Sequence, residues 1–167
     1  MRATLDRRGD YSVRAMLDVA KHVDVGRRKA REIATEMDIP QPYVAQILAD
    51  LVKHDLLAAV AGPTGGYTLN RPASEITLLD VVEAAEGATS LERCVLRGGP
   101  CDWDGVCPIH ETWWRALTAL TDTLTATTFA DLVQIDRAME DGSYALPRDV
   151  PRHPEETKRR GTRSGEG

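Results

Sequence analysis

The chain has 167 residues, of which 42% are hydrophobic; this supports one ordinary core and is too short for a large catalytic barrel. Its net charge of −5 is uneven, because residues 1–72 carry 11 Lys and Arg against 9 Asp and Glu, whereas residues 73–146 carry 4 against 13. No apolar stretch approaches the roughly 18 residues of a membrane span, and no secretory signal is recognisable, so we expect a cytoplasmic protein with no membrane partner. The mildly basic N-terminal part is compatible with nucleic acid.

Three short helices are predicted in the first third of the chain, at residues 10–22, 29–37 and 42–54. Asp10 is a plausible N-cap of the first helix, and a tight turn separates the second helix from the third. Two helices joined in this way are typical of a helix-turn-helix, in which the second helix reads DNA. The side chains that we expect to face DNA are Gln41, Pro42, Tyr43 and Gln46. Among them, the Gln46 amide can pair with adenine, and Tyr43 suits a phosphate.

Two short strands at residues 56–60 and 66–69 flank the turn GPTG at 62–65, which predicts a β-hairpin. A hairpin directly after a recognition helix is a wing. Thr64, at its tip, is therefore a candidate DNA contact.

A long helix is predicted at residues 108–127, after a helix that starts with a capping box at Thr77 and runs to about residue 86. The long helix carries an apolar stripe at heptad spacing, which favours a homodimer interface, although the stripe could instead cover the chain's own body. The stripe consists of Trp113, Leu117, Leu120 and Leu124. The tail at 147–167 is predicted to be disordered, because it has too few apolar residues to offset its ordering entropy.

The three cysteines of the chain and a histidine share one window, CVLRGGPCDWDGVCPIH at 94–110. The spacing C-x6-C-x5-C-x2-H brings Cys94, Cys101, Cys107 and His110 within reach of one centre, which indicates a metal or iron–sulfur site. A structural zinc site uses the same ligands, but it more often contains C-x2-C pairs. A metal-free redox switch between two cysteines is a further alternative, and an iron–sulfur carrier is a distant one. The chain contains no nucleophile–base motif, phosphate loop or dinucleotide turn, so we do not expect an enzyme.

Several short segments together resemble the Rrf2 family of winged-helix regulators, particularly its IscR-like and NsrR-like iron–sulfur sensors. The resemblance covers about residues 1–135 and rests on MR at 1–2, GDYSVRAM at 9–16, PYVAQIL at 42–48, GPTGGY at 62–67, the cysteine triplet and ADLV at 130–133. It implies a dimeric repressor that binds a palindromic operator in double-stranded DNA. It also implies that an iron–sulfur cluster, bound in the loop before the long helix, senses nitric oxide, redox state or iron–sulfur status.

An iron–sulfur cluster takes four protein ligands and the chain offers three thiolates, so the fourth ligand must be another residue, for which there are two candidates. His110 is the local candidate, and it would suggest a 2Fe-2S cluster by resemblance. Asp10 aligns with an aspartate that NsrR-like members donate from the partner subunit, and it would suggest a 4Fe-4S cluster. The family often carries a basic residue where this wing has Ala61. Arg28 and Lys29 are therefore candidate phosphate contacts in its place.

The predicted fold class is mainly α with a small β-hairpin wing, that is, a winged helix-turn-helix followed by a long dimerisation helix. We expect the DNA-binding domain at 1–76, a connecting helix and cluster-binding loop at 77–107, and the dimerisation helix with a short C-terminal helix at 108–135.

Overall fold

The fold is mainly helical, as predicted. The structure, a computed structural model, describes residues 5–89, 107–145 and 147. Within those ranges it contains a two-stranded antiparallel sheet, β1 (Leu57–Val60) and β2 (Gly66–Leu69), and six α-helices. The helices are α1 (Arg7–Lys21), α2 (Ala30–Glu36), α3 (Gln41–Lys53), α4 (Leu78–Glu86), α5 (His110–Ala126) and α6 (Phe129–Glu140).

The first helix begins earlier than its sequence predicts, and the prediction of Asp10 as its N-cap is wrong. Asp6 is the N-cap, because its carboxylate accepts from the N–H groups of Arg8 (2.7 Å) and Gly9 (2.8 Å). Glycine is a poor helix former, so Gly9 masked the extra turn in the sequence. A side chain at this position would collide with the carboxylate of Glu86, which belongs to α4. Gly9 therefore allows α1 and the end of α4 to approach closely.

The helix-turn-helix is built around a continuous apolar core. Helix α2 contributes Ile33 and Ala34, and α3 contributes four buried residues on one side, Val44, Ile47, Leu48 and Leu51. The turn between the two helices uses Asp38 in the left-handed region, with φ of 52°, which aspartate tolerates better than most residues. Because α3 buries one side only, its opposite side remains open to solvent.

The wing is attached to the segment before α2. Arg28 and Tyr67 exchange two backbone hydrogen bonds, of 2.9 and 2.8 Å, which extend the hairpin by an isolated bridge. Gly66, with φ of 146°, lies so close to the Arg28 carbonyl that a Cβ atom would clash with it. The wing is therefore held against the start of α2.

The last helix returns to the winged-helix core, which its sequence did not predict. Phe129 is fully buried and Val133 nearly so, and both belong to the same apolar cluster as α1 and α3. Lys21 of α1 reinforces this packing, since its Nζ lies 2.6 Å from Asp136 Oδ2 and 2.6 Å from Glu140 Oε1. The helix also continues past the predicted boundary at residue 135, to Glu140.

Helix α5 lies between two elements that are anchored in the core. It packs against α4, and the backbone N–H of Leu78 donates to the carbonyl of Thr127, just after α5 ends (2.8 Å). The predicted capping box of α4 is confirmed, with Thr77 and Asp80 hydrogen-bonded in both directions. The predicted tail falls outside the described residues except for Pro147. In the part of the chain that is described, no helix has the length and apolar character that a membrane crossing requires.

Candidate nucleic-acid interface and metal centre

Helix α3 presents its outward side to solvent at each position that the sequence predicts for DNA reading. All four of these predicted residues are exposed: Gln41, Pro42, Tyr43 and Gln46. The first three lie in the first turn of the helix, which starts at Gln41 with Pro42 next to it. A helix that exposes polar side chains near its N-terminus is suited to enter the major groove.

Tyr43 is 46% exposed, and its ring lies beside that of Tyr11 from α1. The two ring centroids are 5.7 Å apart, with 47° between the ring planes, which is a favourable tilted arrangement. Packing against Tyr11 limits the freedom of the Tyr43 ring, while the exposed part of the side chain is free to meet a phosphate.

Gln46 belongs to a hydrogen-bonded network that joins α3 to the start of α1. Its amide Nε2 donates to both carboxylate oxygens of Asp50, at 3.1 and 3.2 Å. Arg8 Nη2 contacts the same carboxylate at 2.7 Å. Burial raises the pKa of Asp50, but the Gln46 amide and the Arg8 guanidinium lower it by more, so the pKa lies below the usual value of an aspartate. Asp50 is therefore ionised at neutral pH.

The two predicted phosphate contacts near α2 have different surroundings. Arg28 forms a bidentate pair with the fully buried Asp18, from Nε to Oδ2 (2.8 Å) and from Nη2 to Oδ1 (3.0 Å). The hydrogen bonds to Asp18 raise the pKa of Arg28, although burial opposes the shift. Because only 17% of its side chain is exposed, this geometry favours a structural role for Arg28. Lys29 is exposed, and it remains the better candidate for a phosphate contact.

The tip of the wing is exposed. Both Thr64 and Ala61 are open to solvent. Gly65 closes the turn, since its N–H donates to the Gly62 carbonyl at 3.0 Å. A minor-groove contact by Thr64 stays a prediction.

The predicted metal ligands are only partly described. Cys94 and Cys101 lie outside the described residues, whereas Cys107 is a free, buried cysteine. His110 follows it across one turn, where its backbone N–H donates to the Cys107 carbonyl at 3.1 Å. Helix α5 begins at His110 rather than at residue 108, where the sequence predicts its start, and Ile109 is its N-cap.

Asp10 lies in the first turn of α1, where it forms an ion pair with Arg14. Arg14 Nε donates to Oδ1 at 2.9 Å, and Arg14 Nη2 lies 2.9 Å from Oδ2. The described ranges bring no three His, Cys, Asp or Glu side chains together as a metal site. The ligand set therefore depends on the two cysteines beyond these ranges.

Helix α5 has no buried residue in this single chain, although it is 17 residues long. Within the predicted stripe, Leu120 is 52% exposed, and Trp113, Leu117 and Leu124 are half-buried. Trp114, beside the stripe, is 46% exposed. An apolar helix of this kind is a candidate contact for a second copy of the chain.

Sequence analysis missed the Arg8–Asp50 and Arg28–Asp18 pairs. Gln46 and Asp50 have the spacing i, i+4 at which glutamine and aspartate interact on a helix, and this signal was available. The contact of Arg8 with Asp50 could not be predicted from the sequence, because it depends on the extra turn of α1.

Comparisons with known proteins agree with this arrangement. A family model described as Rrf2, iron-dependent transcriptional regulator, matches residues 5–135. The HTH-type transcriptional regulator IscR of Escherichia coli K12 is 32% identical over 148 residues, which cover 89% of this chain and 91% of that protein. The solved structure of T. potens IscR has a TM-score of 0.67 at 25% identity, covering 86% of this chain and 93% of that one. The structure of CymR, the global cysteine regulator of B. subtilis, shares the fold, with a TM-score of 0.68 at 24% identity over 80% of this chain and 98% of that one.

Proposed function

This chain belongs to the Rrf2 family of transcriptional regulators, and on that premise we propose that it is a homodimeric repressor of a palindromic operator, controlled by a labile iron–sulfur cluster. The signal would be nitric oxide, redox state or iron–sulfur status. The cluster would be held by Cys94, Cys101 and Cys107, with His110 or the Asp10 of a partner subunit as the fourth ligand.

One observation carries the DNA-binding part of the proposal. Helix α3 buries four apolar residues in the core and leaves Gln41, Tyr43 and Gln46 exposed on the opposite side. Exposed Lys29 is available for the phosphate backbone, and it supplies affinity rather than sequence information. Gln46 is the proposed base reader, because its amide can both donate and accept.

The exposed stripe of α5 supports the dimer. A second copy of this helix is the occupant that fits it, since a homodimer interface pairs like surfaces and heptad spacing suits helix crossing. Covering Leu120 and Trp114 would remove from water the two large apolar side chains of α5 that are most exposed here.

The residues described near the proposed cluster fit an anionic thiolate centre. Cys107 is buried, and it lies just before the start of α5, where no side-chain hydrogen bond caps the helix. The free N–H groups and dipole of a helix start stabilise a thiolate. The His110 side chain is exposed. Asp10, by contrast, would have to share or give up its pairing with Arg14 in order to bind iron.

When bound, a cluster with one ligand that is not a thiolate would supply a labile centre, because nitric oxide, oxygen or iron limitation can remove the cluster. The chain's own part is to link the cysteine segment to DNA reading. Glu86, the last residue of α4 before that segment, accepts from the N–H of Asp6 at 2.8 Å. This hydrogen bond connects the N-cap of α1 to the end of α4.

The test begins with anaerobically purified protein. Iron and sulfide in matching amounts, with visible absorbance and circular dichroism, support the cluster, and their stoichiometry separates 2Fe-2S from 4Fe-4S. Stoichiometric zinc in a colourless sample would indicate a structural zinc site instead of a cluster. Cys101→Ala should abolish the absorbance while leaving a folded dimer.

The same sample is then titrated with operator DNA selected from a random pool. We expect chelation of the cluster to weaken operator binding by about fivefold to 150-fold, the usual range of coupling between two sites. Equal affinity with and without the cluster would contradict the sensor.

The fourth ligand is assigned by paired variants. His110→Ala is compared with His54→Ala, and Asp10→Ala with Asp24→Ala, since both controls are exposed residues of the same type. The variant that removes the ligand should change the visible spectrum and accelerate loss of the cluster, and its control should change neither.

A further inference from the structure

The side chain of Gln46 is held by a chain of polar contacts that starts in a different helix. Arg8, in the first turn of α1, contacts Asp50 at 2.7 Å, and Asp50 accepts from the Gln46 amide at 3.1 and 3.2 Å. The Asp50 side chain is only 15% exposed, and that of Arg8 is 49% exposed. Gln46 itself is open to solvent on the outward side of α3.

This arrangement determines which end of the amide faces Asp50. An ionised carboxylate only accepts hydrogen bonds, so it selects the NH2 group of Gln46 and leaves the carbonyl Oε1 directed elsewhere. The ion pair with Arg8 keeps Asp50 in place and in the charged form. A glutamine without such a partner exchanges its two ends freely, because they differ little in shape.

The free end of the amide decides which base edges it can read. An outward Oε1 accepts from the amino group of adenine or cytosine in the major groove, and the second N–H of the amide is still available for adenine N7. The reversed amide would present its donors to the acceptors of guanine or thymine.

We propose that Arg8 and Asp50 are positioning residues that fix the Gln46 amide and so restrict it to bases with a major-groove amino group, adenine or cytosine. The inference rests on the proposed function, since it requires α3 to read DNA. It assigns a task to the extra turn of α1, which brings Arg8 to the recognition helix.

The experiment uses the full chain and four duplexes that differ only at the base pair read by Gln46. That base pair is identified as the position whose preference disappears in Gln46→Ala, within an operator selected from a random pool. Fluorescence anisotropy at fixed salt gives the affinity for each duplex. Wild type should prefer adenine or cytosine on one strand by tenfold or so.

Asp50→Ala should reduce this preference to about the level of Gln46→Ala, and Asp50→Asn should reduce it in part, because an asparagine can either donate to the amide or accept from it. Arg8→Gln should also weaken the preference, whereas Arg7→Gln, at the exposed neighbouring position, should not. Preferences at the other operator positions and the thermal midpoint should stay close to those of wild type, which a merely structural role would not predict.

Unchanged base preference in Asp50→Ala would overturn the inference. It would also be overturned if Arg8→Gln weakened operator and scrambled DNA equally and lowered the salt dependence by about one phosphate contact, because Arg8 would then bind the backbone. If wild type itself fails to discriminate operator from scrambled DNA, the proposed function fails as well. If the wild type discriminates operator from scrambled DNA but Gln46→Ala changes no base preference, Gln46 is not the base reader. The inference is then overturned, and the proposed repressor function is not.

Discussion

Arg28 and Lys29 are adjacent cations with opposite surroundings. The guanidinium of Arg28 neutralises Asp18, which is 0% exposed, and its backbone joins the wing to the segment before α2. Lys29 is exposed, and no side-chain hydrogen bond commits it to the cap of α2. The same charge therefore serves stability at one position and is available to DNA at the next.

Replacement of Arg28 should destabilise the fold strongly. Arg28→Ala leaves a buried carboxylate without its bidentate partner and, among the described residues, with only the His22 ring nearby, at 3.5 Å; loss of one member of such a pair costs about 3–5 kcal/mol. The free energy of unfolding, from denaturant titration monitored by circular dichroism, measures this change. Lys29→Ala is the matched control and should retain wild-type stability while losing about one phosphate contact in the salt dependence of operator binding. Equal stability of Arg28→Ala and Lys29→Ala would contradict the structural role of Arg28.

Individual site residues differ in how far sequence alone reveals them. Gln41, Tyr43 and Gln46 were predictable as exposed residues, because the helical period of α3 puts Val44, Ile47 and Leu48 on the other side. The contact between Arg8 and Asp50 joins residues 42 positions apart, and no local period encodes it. The charge of Arg28 likewise suggested a DNA contact. The sequence could not reveal its pairing with Asp18, because the burial of Asp18 beneath Arg28 is a tertiary feature.

Among the elements, α5 is the one whose single-chain environment is incomplete. It buries no residue, whereas α6, which is shorter, buries Phe129, Val133 and Asp136. Helix α5 packs against α4, and three residues of its stripe, Trp113, Leu117 and Leu124, are half-buried. The exposed apolar side chains of α5, Trp114 and Leu120, are what the proposed dimer would cover.

Leu120→Glu should convert the proposed dimer into a monomer. A carboxylate on the proposed seam would be desolvated in each subunit and would face its symmetry mate, so association should weaken by an order of magnitude or more. Sedimentation velocity over a concentration series measures the effect. Ala126→Glu introduces the same charge at an exposed position of α5 outside the seam and should leave the dimer intact. A dimeric Leu120→Glu variant would place the interface elsewhere.

Element boundaries were predictable where side chains signal them. The capping box of α4 predicted its start correctly. The side chains of Thr77 and Asp80 each accept from the backbone N–H of the other residue, so the signal lies within four residues of sequence. The start of α1 was misjudged, since the need for Gly9 lies in the approach of Glu86 from 77 positions away. The close return of α6 to α1 was missed for the same reason.

In the whole molecule, α5 is joined to the winged-helix core through α4, against which it packs, and through α6, which follows it. Helix α4 precedes the cysteine segment and packs on α1, and α6 follows α5 and packs on α1 as well. The bridge between Thr77 and Thr128 joins the start of α4 to the start of α6. A dimer formed through α5 would therefore hold the two α3 helices in a fixed relation.

This geometry predicts a strict spacing of operator half-sites. Two recognition helices in successive major grooves must lie about 34 Å apart, one turn of the duplex. Inserting five base pairs between the half-sites of the selected operator turns one of them by about half a turn, so only one α3 helix can engage. The affinity should then fall to that of a single half-site, as measured by fluorescence anisotropy. An insertion of one base pair in a flanking sequence is the control and should have no effect. Retention of full affinity after the central insertion would mean that the two reading helices move independently, and α5 would then not be a rigid link between them.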